Sequence, residues 1–369
     1  MKIGILTFHC ALNYGALMQT YGLQEYLKRI GHEVFVINYR PKYLLKPYRV
    51  FNWRWSSAFS VKQNLLFFVR SMLVFPIRLK RKKGFSCFIN KHIHLCPADC
   101  INQDAGFDAF VFGSDQIWNP IITEGFDGVY FGRFPASKGK RLVAYAASAG
   151  SVEYVKSNEK EFISLLSSYT AISVREKSLA DFIYKQSGGR RAEVVVDPVL
   201  LVGRTFFESI AAKEKAGKGY LLLFQLSYND MSSITRKIAE FIAKVRGLEI
   251  VELCSATESL KNKQQIDTAS PECFISLFRD AGYVVTTSYH GTVFSILFEK
   301  DFTVVDSSVS ERMVNLLLSL DLKERLAKNE KDVILEKINY RQVNDRLEKM
   351  RLVSNDFLKQ AFIYNFADT

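Results

Sequence analysis

Short apolar runs alternate with stretches of helical periodicity along most of the chain. Residues 2–8, KIGILTF, read as a buried strand. A polar loop, HCALNYG, leads into ALMQTYGLQEYLKRIG, where Leu17, Tyr21, Gln24 and Leu27 recur at helical spacing and Gly31 suits the end. HEVFVINYR is the next strand, so the chain opens as a βαβ unit. After an irregular interval, FDAFVFGSDQIWNP and RLVAYAASAG supply two more strands, FISLLSSY a helix, and TAISVREKSLADFIYKQSG a strand, a turn and a helix. AEVVVDPVLL closes this half.

The second half keeps the rhythm. GYLLLFQLS, LEIVELC, GYVVTTS and DFTVVDS read as strands; SSITRKIAEFIAKVRG, PECFISLFRDA and HGTVFSILFEK read as the helices between them. ERMVNLLLSLDL and the last forty residues read as helical. Every connection fits parallel strands joined by crossover helices. The expected architecture is α/β: two doubly wound domains, with a hinge near 198–215. The first runs over 1–200 with an insert at about 41–98, the second over 201–335, and a helical tail over 336–369 follows, placed to cross back onto the first domain.

Composition adds little until it is mapped. The chain has 369 residues, with 48% hydrophobic and 24% charged residues and a net charge of +12, within the range of globular proteins. The charge is local. Between Val34 and Ala98 there is no Asp or Glu but there are 13 Lys and Arg, so the other 37 basic and 38 acidic residues nearly cancel. In FNWRWSSAFSVKQNLLFFVRSMLVFPIRLKRKKGF, Trp53 and Trp55 flank Arg54, and Phe and Leu interleave with Lys and Arg. Three readings stay open: an amphipathic helical subdomain packed on the first domain, peripheral contact with an anionic membrane through residues 48–84, and single-stranded nucleic acid. With no nucleic-acid module alongside, the last is set aside, and Arg70 and Pro76 break the run too early for a membrane span. The N-terminal run is too short for a secretory signal, and a cytoplasmic protein is expected. Six scattered cysteines fit reduced thiols. Cys96 and Cys100 stand near His92 and His94, but no second pair follows, so no metal is expected.

The candidate chemistry lies where strands end. In TTSYHGTVFSILF, Ser288, His290, Gly291 and Thr292 stand between a strand and a helix start, where free backbone N–H groups favour an anion and an imidazole can add a proton. The bland alternative is a helix cap with a boundary histidine. Ser114, Asp115 and Gln116 follow Gly113 at another strand end, suited to acid–base work, a hydroxyl contact or capping. Asn13, Tyr14 and Gly15 precede a helix as a loose cradle without a dinucleotide fingerprint. Arg175 in SVRE can fork onto a carboxylate or phosphate, or form a surface pair with Glu176. The DPV at 197–199 reads as turn and linker.

The ordered set NYGALMQTYGLQEYL (13–27), FVFGSDQIWNP (110–120), ISVREK (172–177), VDPVLL (196–201) and TTSYHGTVFSILF (286–298), with the tail around 338–360, resembles the polysaccharide pyruvyl transferase family. The resemblance implies a glycosyltransferase-B-like fold, two Rossmann-like domains facing a cleft. It implies phosphoenolpyruvate as donor substrate, with no cofactor, and a sugar of a polysaccharide or lipid-linked precursor as acceptor. The family's arginine-x-histidine element falls on Ser288, Tyr289 and His290, with serine in place of the usual arginine, which shifts anion binding to Arg175 or the helix start. His290 and Asp115 are the expected catalytic pair, and Asn13 and Tyr14 are expected to face the cleft. The alternatives are a nucleotide-sugar enzyme, with Glu252 or Glu258 as ribose contact, and a non-catalytic sugar-binding protein.

Overall fold

The apolar runs pair as parallel strands in two sheets. A computed structural model describes residues 1–51, 57–213, 219–225, 231–254, 265–266, 268–305 and 310–363. The first sheet contains β1 (Lys2–Leu6), β2 (Glu33–Ile37), β3 (Leu95–Cys96), β4 (Ala109–Phe112), β5 (Arg141–Ala147), β6 (Ala171–Val174) and β7 (Glu193–Val194), in the order 3-2-1-4-5-6-7. The second contains β8 (Tyr220–Gln225), β9 (Glu249–Cys254), β10 (Gln265–Ile266), β11 (Tyr283–Thr286), β12 (Phe302–Val305) and β13 (Leu326–Ala327), in the order 10-9-8-11-12-13. All ladder pairs are parallel. β4, β5 and β8 are buried along their whole length, as expected when helices cover both faces of a sheet.

The helices are α1 (Tyr14–Arg29), α2 (Lys42–Leu45), α3 (Val61–His92), α4 (Glu153–Lys156), α5 (Glu159–Leu166), α6 (Lys177–Gln186), α7 (Pro198–Val202), α8 (Arg204–Ile210), α9 (Met231–Arg246), α10 (Pro271–Asp280), α11 (Tyr289–Leu297), α12 (Glu311–Ser319) and α13 (Tyr340–Ile363). Side chains explain many starts. Asn13 accepts from Ala16 N at 3.2 Å, Ser60 and Gln63 form a capping box on α3, and Ser270 caps α10 ahead of Pro271. The last forty residues are helical only in part: Glu330–Asp332 is a 3-10 turn, and α13 starts at Tyr340. That helix lies against the first domain. Ser354 Oγ accepts from Val196 N at 3.0 Å, Tyr26 donates to Asn355 Oδ1 at 2.5 Å, and Arg141 donates to Ala361 O at 3.0 Å.

One expectation changes. Cys96 and Cys100 are joined as a disulfide rather than standing as separate thiols, because the short turn after β3 returns one beside the other. The basic insert is built mainly on one 32-residue helix, α3, whose second half enters the core through Phe85 and Phe88. No described helix is long and apolar enough to cross a membrane. Trp53, Arg54 and Trp55 lie outside the described residues.

Strand order reverses on either side of β1 and β4 in the first sheet, and of β8 and β11 in the second. At such switch points, loops diverge and leave a crevice at the strands' carboxyl ends. These edges face each other: Tyr14, opening α1, donates to Ala269 O at 2.8 Å.

Candidate active site

At the second domain's edge, Thr286 ends β11 by donating to Phe224 O at 2.8 Å and accepting from Ser288 N at 3.0 Å. Ser288 then caps α11, accepting from Gly291 N at 3.3 Å, while the Thr292 hydroxyl donates to Ser288 O at 3.2 Å. A Cβ on Gly291 would stand 2.2 Å from Thr286 Oγ1, so only glycine fits this tight start. His290, one residue earlier, is directed into the domain interface. Its Nε2 lies 3.5 Å from Asp197 Oδ2. Its other ring edge presses on α1, where a Cβ at Gly15 would meet Nδ1 at 2.1 Å.

Arg175 enters from the end of β6. Its Nε donates to Ser114 Oγ at 2.8 Å, its Nη2 lies 2.8 Å from Asp197 Oδ2, and the Ser114 hydroxyl donates to Ala146 O at 3.1 Å. Asp197 also caps α7 by accepting from Val199 N at 2.9 Å. A second arginine arrives from α12. Arg312 Nη1 lies 3.7 Å from Asp115 Oδ1, and its Nε 4.0 Å from Glu176 Oε1. The Tyr289 ring takes both guanidinium groups, Arg175 at 5.1 Å and Arg312 at 5.0 Å from its centre. α12 is fastened across the interface: Glu311 accepts from Ser151 and Ser178, each at 2.6 Å, and Asn315 donates to Arg175 O at 3.0 Å.

Arg175, Glu176, Asp197, His290 and Arg312 are buried, and the Asp115 carboxylate is 14% exposed. Burial pushes the Asp197 carboxyl up, but Arg175 and His290 outweigh it and hold its pKa at about 2. Glu176 is raised by burial, against the pull of Arg312 and a hydrogen bond from the Ser148 hydroxyl. Arg312 is lowered, first by burial and then by repulsion from Arg175. Arg175 Nη1, Arg312 Nε and His290 Nε2 are buried and have no hydrogen-bond partner among the described residues. Buried polar groups are usually satisfied. An anion between the domains would satisfy donors from both.

Beside the cluster, in the first domain, lies a cleft of about 670 Å³ whose walls include Phe8, Asn13, Tyr43, Tyr48, Asp115 and Gln116. Asp115 holds φ at +84°, an uncommon value that aspartate tolerates. Its carboxylate accepts from Gln116 N at 2.8 Å and stands between the cleft and Arg312. Aromatic walls with a carboxylate and amides suit a sugar ring.

Asn13, Asp115 and Gln116 therefore meet at the cleft, and Arg175, Ser114, Ser288, His290, Gly291 and Thr292 at the buried interface. Tyr14 faces the opposing domain but is packed against it instead of lining open space. It is 1% exposed, with its ring stacked on Phe274 and tilted against Phe85, so it joins the domains. Gly15 makes room for His290, Ser114 orients Arg175, and Ser288 is a cap. Arg175 is no surface partner of Glu176: its ion pair is with Asp197, which does more than turn the chain at DPV. Glu252 is buried against Arg236 Nη1 at 2.6 Å, and Glu258 lies outside the described residues. Asp197, Glu176, Tyr289 and Arg312 were not singled out from the sequence. The first three stand inside or beside quoted motifs, whereas nothing local marks Arg312. No group of three or more metal-binding side chains is gathered among the described residues.

Comparison with solved structures gives the fold. UDP-N-acetylglucosamine 2-epimerase from Rickettsia bellii is similar at a TM-score of 0.54 and 10% identity, over 99% of this chain and 96% of that one. A Listeria monocytogenes protein described as the same kind of enzyme matches at 0.51 and 11%, over 97% and 94%. The architecture is glycosyltransferase-B-like, two Rossmann-like domains facing a cleft. No curated protein matches the chain. The family model for polysaccharide pyruvyl transferase matches residues 13–309. With that span covering most of the chain and including Asp115, Arg175 and His290, the chain belongs to the polysaccharide pyruvyl transferase family.

Proposed function

We propose that the protein transfers the pyruvyl group of phosphoenolpyruvate onto two hydroxyls of a sugar, forming a pyruvate ketal and releasing phosphate. The acceptor is a unit of a polysaccharide precursor, lipid-linked and met at the cytoplasmic face of the membrane. The observation that carries the reading is the pair of buried guanidinium groups, Arg175 after β6 and Arg312 from α12, each with an N–H unpartnered among the described residues, beside His290 and the sugar-sized cleft. A donor with a carboxylate and a phosphate calls for two such cations. Arg312 supplies the charge that Ser288 does not.

The reaction needs an acid, a base and a clamp for phosphate. Protonation of the donor's methylene carbon leaves oxocarbenium-like character at the adjoining carbon. One acceptor hydroxyl adds there and gives its proton to the base. The second hydroxyl displaces phosphate, and the proton it loses leaves with the base or the phosphate. In this scheme His290 contacts the phosphate and delivers the proton, Arg175 and Arg312 hold the anion, and Asp115, on the cleft wall, receives the acceptor's proton.

Phosphate release from phosphoenolpyruvate, measured over a panel of lipid-linked and nitrophenyl sugars, tests the reading. His290→Ala should lower kcat by about 100-fold or more, the usual range for lost acid–base help. Normal turnover by that variant would remove His290 from the mechanism, and no phosphate release with any acceptor would count against the donor.

A further inference from the structure

The first two-thirds of α3, as far as Arg81, is turned inside out. Asn64, Ser71 and Arg81 are buried, with Val74 among them, while Val61, Leu65, Val69, Met72, Leu73 and Leu79 are exposed. Val61, Leu65, Val69, Met72 and Leu79 follow one another at intervals of four, four, three and seven residues, which puts them within about 80° of one another around the helix. Lys62, Arg70, Lys80, Lys82 and Lys83 are exposed along the same helix. After Arg81 the pattern reverts: Phe85 and Phe88 are buried, Phe85 against Tyr14 at 4.9 Å and Phe88 against Tyr21 at 5.5 Å. Hence α3 is a core helix from about Arg81 onward and, among the described residues, an unpartnered apolar face before it. An exposed apolar patch of this size, continuous along one helix, marks a docking surface.

Charge says what docks there. The interval around the helix holds 13 Lys and Arg and no Asp or Glu, so the occupant must be apolar at its centre and negative around it. A second copy meeting the same face would set like charge against like charge. No described helix can cross a bilayer, but Val61–Leu79 spans about 28 Å of helix and can lie along one. We propose that this part of α3 rests on an anionic lipid bilayer, with its apolar face at the acyl boundary and its lysines and arginines among the headgroups. The placement serves the cleft. Tyr48 lies on the cleft wall, and three residues later the Phe51 ring meets Phe68 of α3 at 6.2 Å. A membrane under α3 therefore lies beside the mouth of the cleft, within reach of an acceptor anchored in lipid. The docking itself does not depend on pyruvyl chemistry.

The test is sedimentation of the full-length protein with vesicles of phosphatidylcholine, with and without phosphatidylglycerol. Wild type should sediment with the anionic vesicles and be released as salt rises. Leu65→Glu with Met72→Glu should lower partitioning by about tenfold or more, and Lys80→Gln, Lys82→Gln and Lys83→Gln together should do the same. Circular dichroism and phosphate release with a soluble acceptor should be unchanged in both variants, which separates failure of docking from failure of the proposed reaction. Wild type left in the supernatant would overturn the proposal, as would apolar-face variants that sediment like wild type. A lipid-free dimer that light scattering shows to fall to monomer in Leu65→Glu with Met72→Glu, without vesicle binding, would overturn it in favour of a second copy.

Discussion

Asp197 carries more of the interface than its place in a turn suggests. It caps α7 with one oxygen and meets Arg175 and His290 with the other. Replacing it by asparagine leaves Arg175 buried without its counter-charge, which costs roughly 3–5 kcal/mol in comparable buried pairs. Asp197→Asn should therefore lower stability by that amount at neutral pH, read by urea unfolding. The acid limb follows from its depressed carboxyl, at about 2 in the folded protein against ~3.9 unfolded. Its stabilising contribution is complete above the unfolded value and is lost as pH falls from about 4 through about 2. Wild type should lose stability across that window and the variant much less; equal loss in both would show that Asp197 is not the titrating group. From the sequence, Val-Asp-Pro reads as a turn, and that reading stands for one of its two oxygens.

Among the elements, α1 and α11 approach until backbone meets side chain. Gly15 lies against His290, and a Cβ on Gly22, two turns along, would stand 2.9 Å from Pro198 O. Alanine in a helix is otherwise better than glycine by about 1 kcal/mol. At Gly15 the sign should reverse, because the new carbon would stand 2.1 Å from the imidazole. Gly15→Ala should be destabilising by about 1–3 kcal/mol and should cut turnover by displacing His290, measured as a lower Tm and kcat. A neutral or stabilised variant would mean that the histidine can move away without consequence. The sequence shows a glycine at a helix start, and a ligand cradle is a fair reading of it. What presses on that glycine is the ring of a residue 275 positions later.

Across the whole molecule, the proposed anion site has two owners. Arg175, Asp197 and Asp115 come from the first domain or its exit, His290, Tyr289 and Arg312 from the second. A ligand that joins them should stabilise the protein as a unit, by about 2.7 kcal/mol at 100 times its Kd. Phosphoenolpyruvate should therefore raise Tm in wild type and far less in Arg312→Ala. An equal shift in the two would remove Arg312 from the anion site. α13 adds a second tie, running against β5, α1 and the chain after β7.

The strands, their parallel pairing and the junction at His290 were legible because their causes are local. Apolar runs, caps such as Asn13 and Ser288, and glycines after helices act over a few residues, and the sequence by itself determined them. The family motifs likewise marked His290, Arg175 and Asp115. Only the tertiary structure decided which charges meet. Arg175 and Ser114 are 61 residues apart, and Arg312 reaches Asp115 only because α12 closes over the edge of the first sheet. Tyr14 read as a cleft residue from its position before a helix, yet the opposing domain covers it. An ion pair or a covered ring depends on where crossovers bring distant strand ends, and no local periodicity encodes that distance.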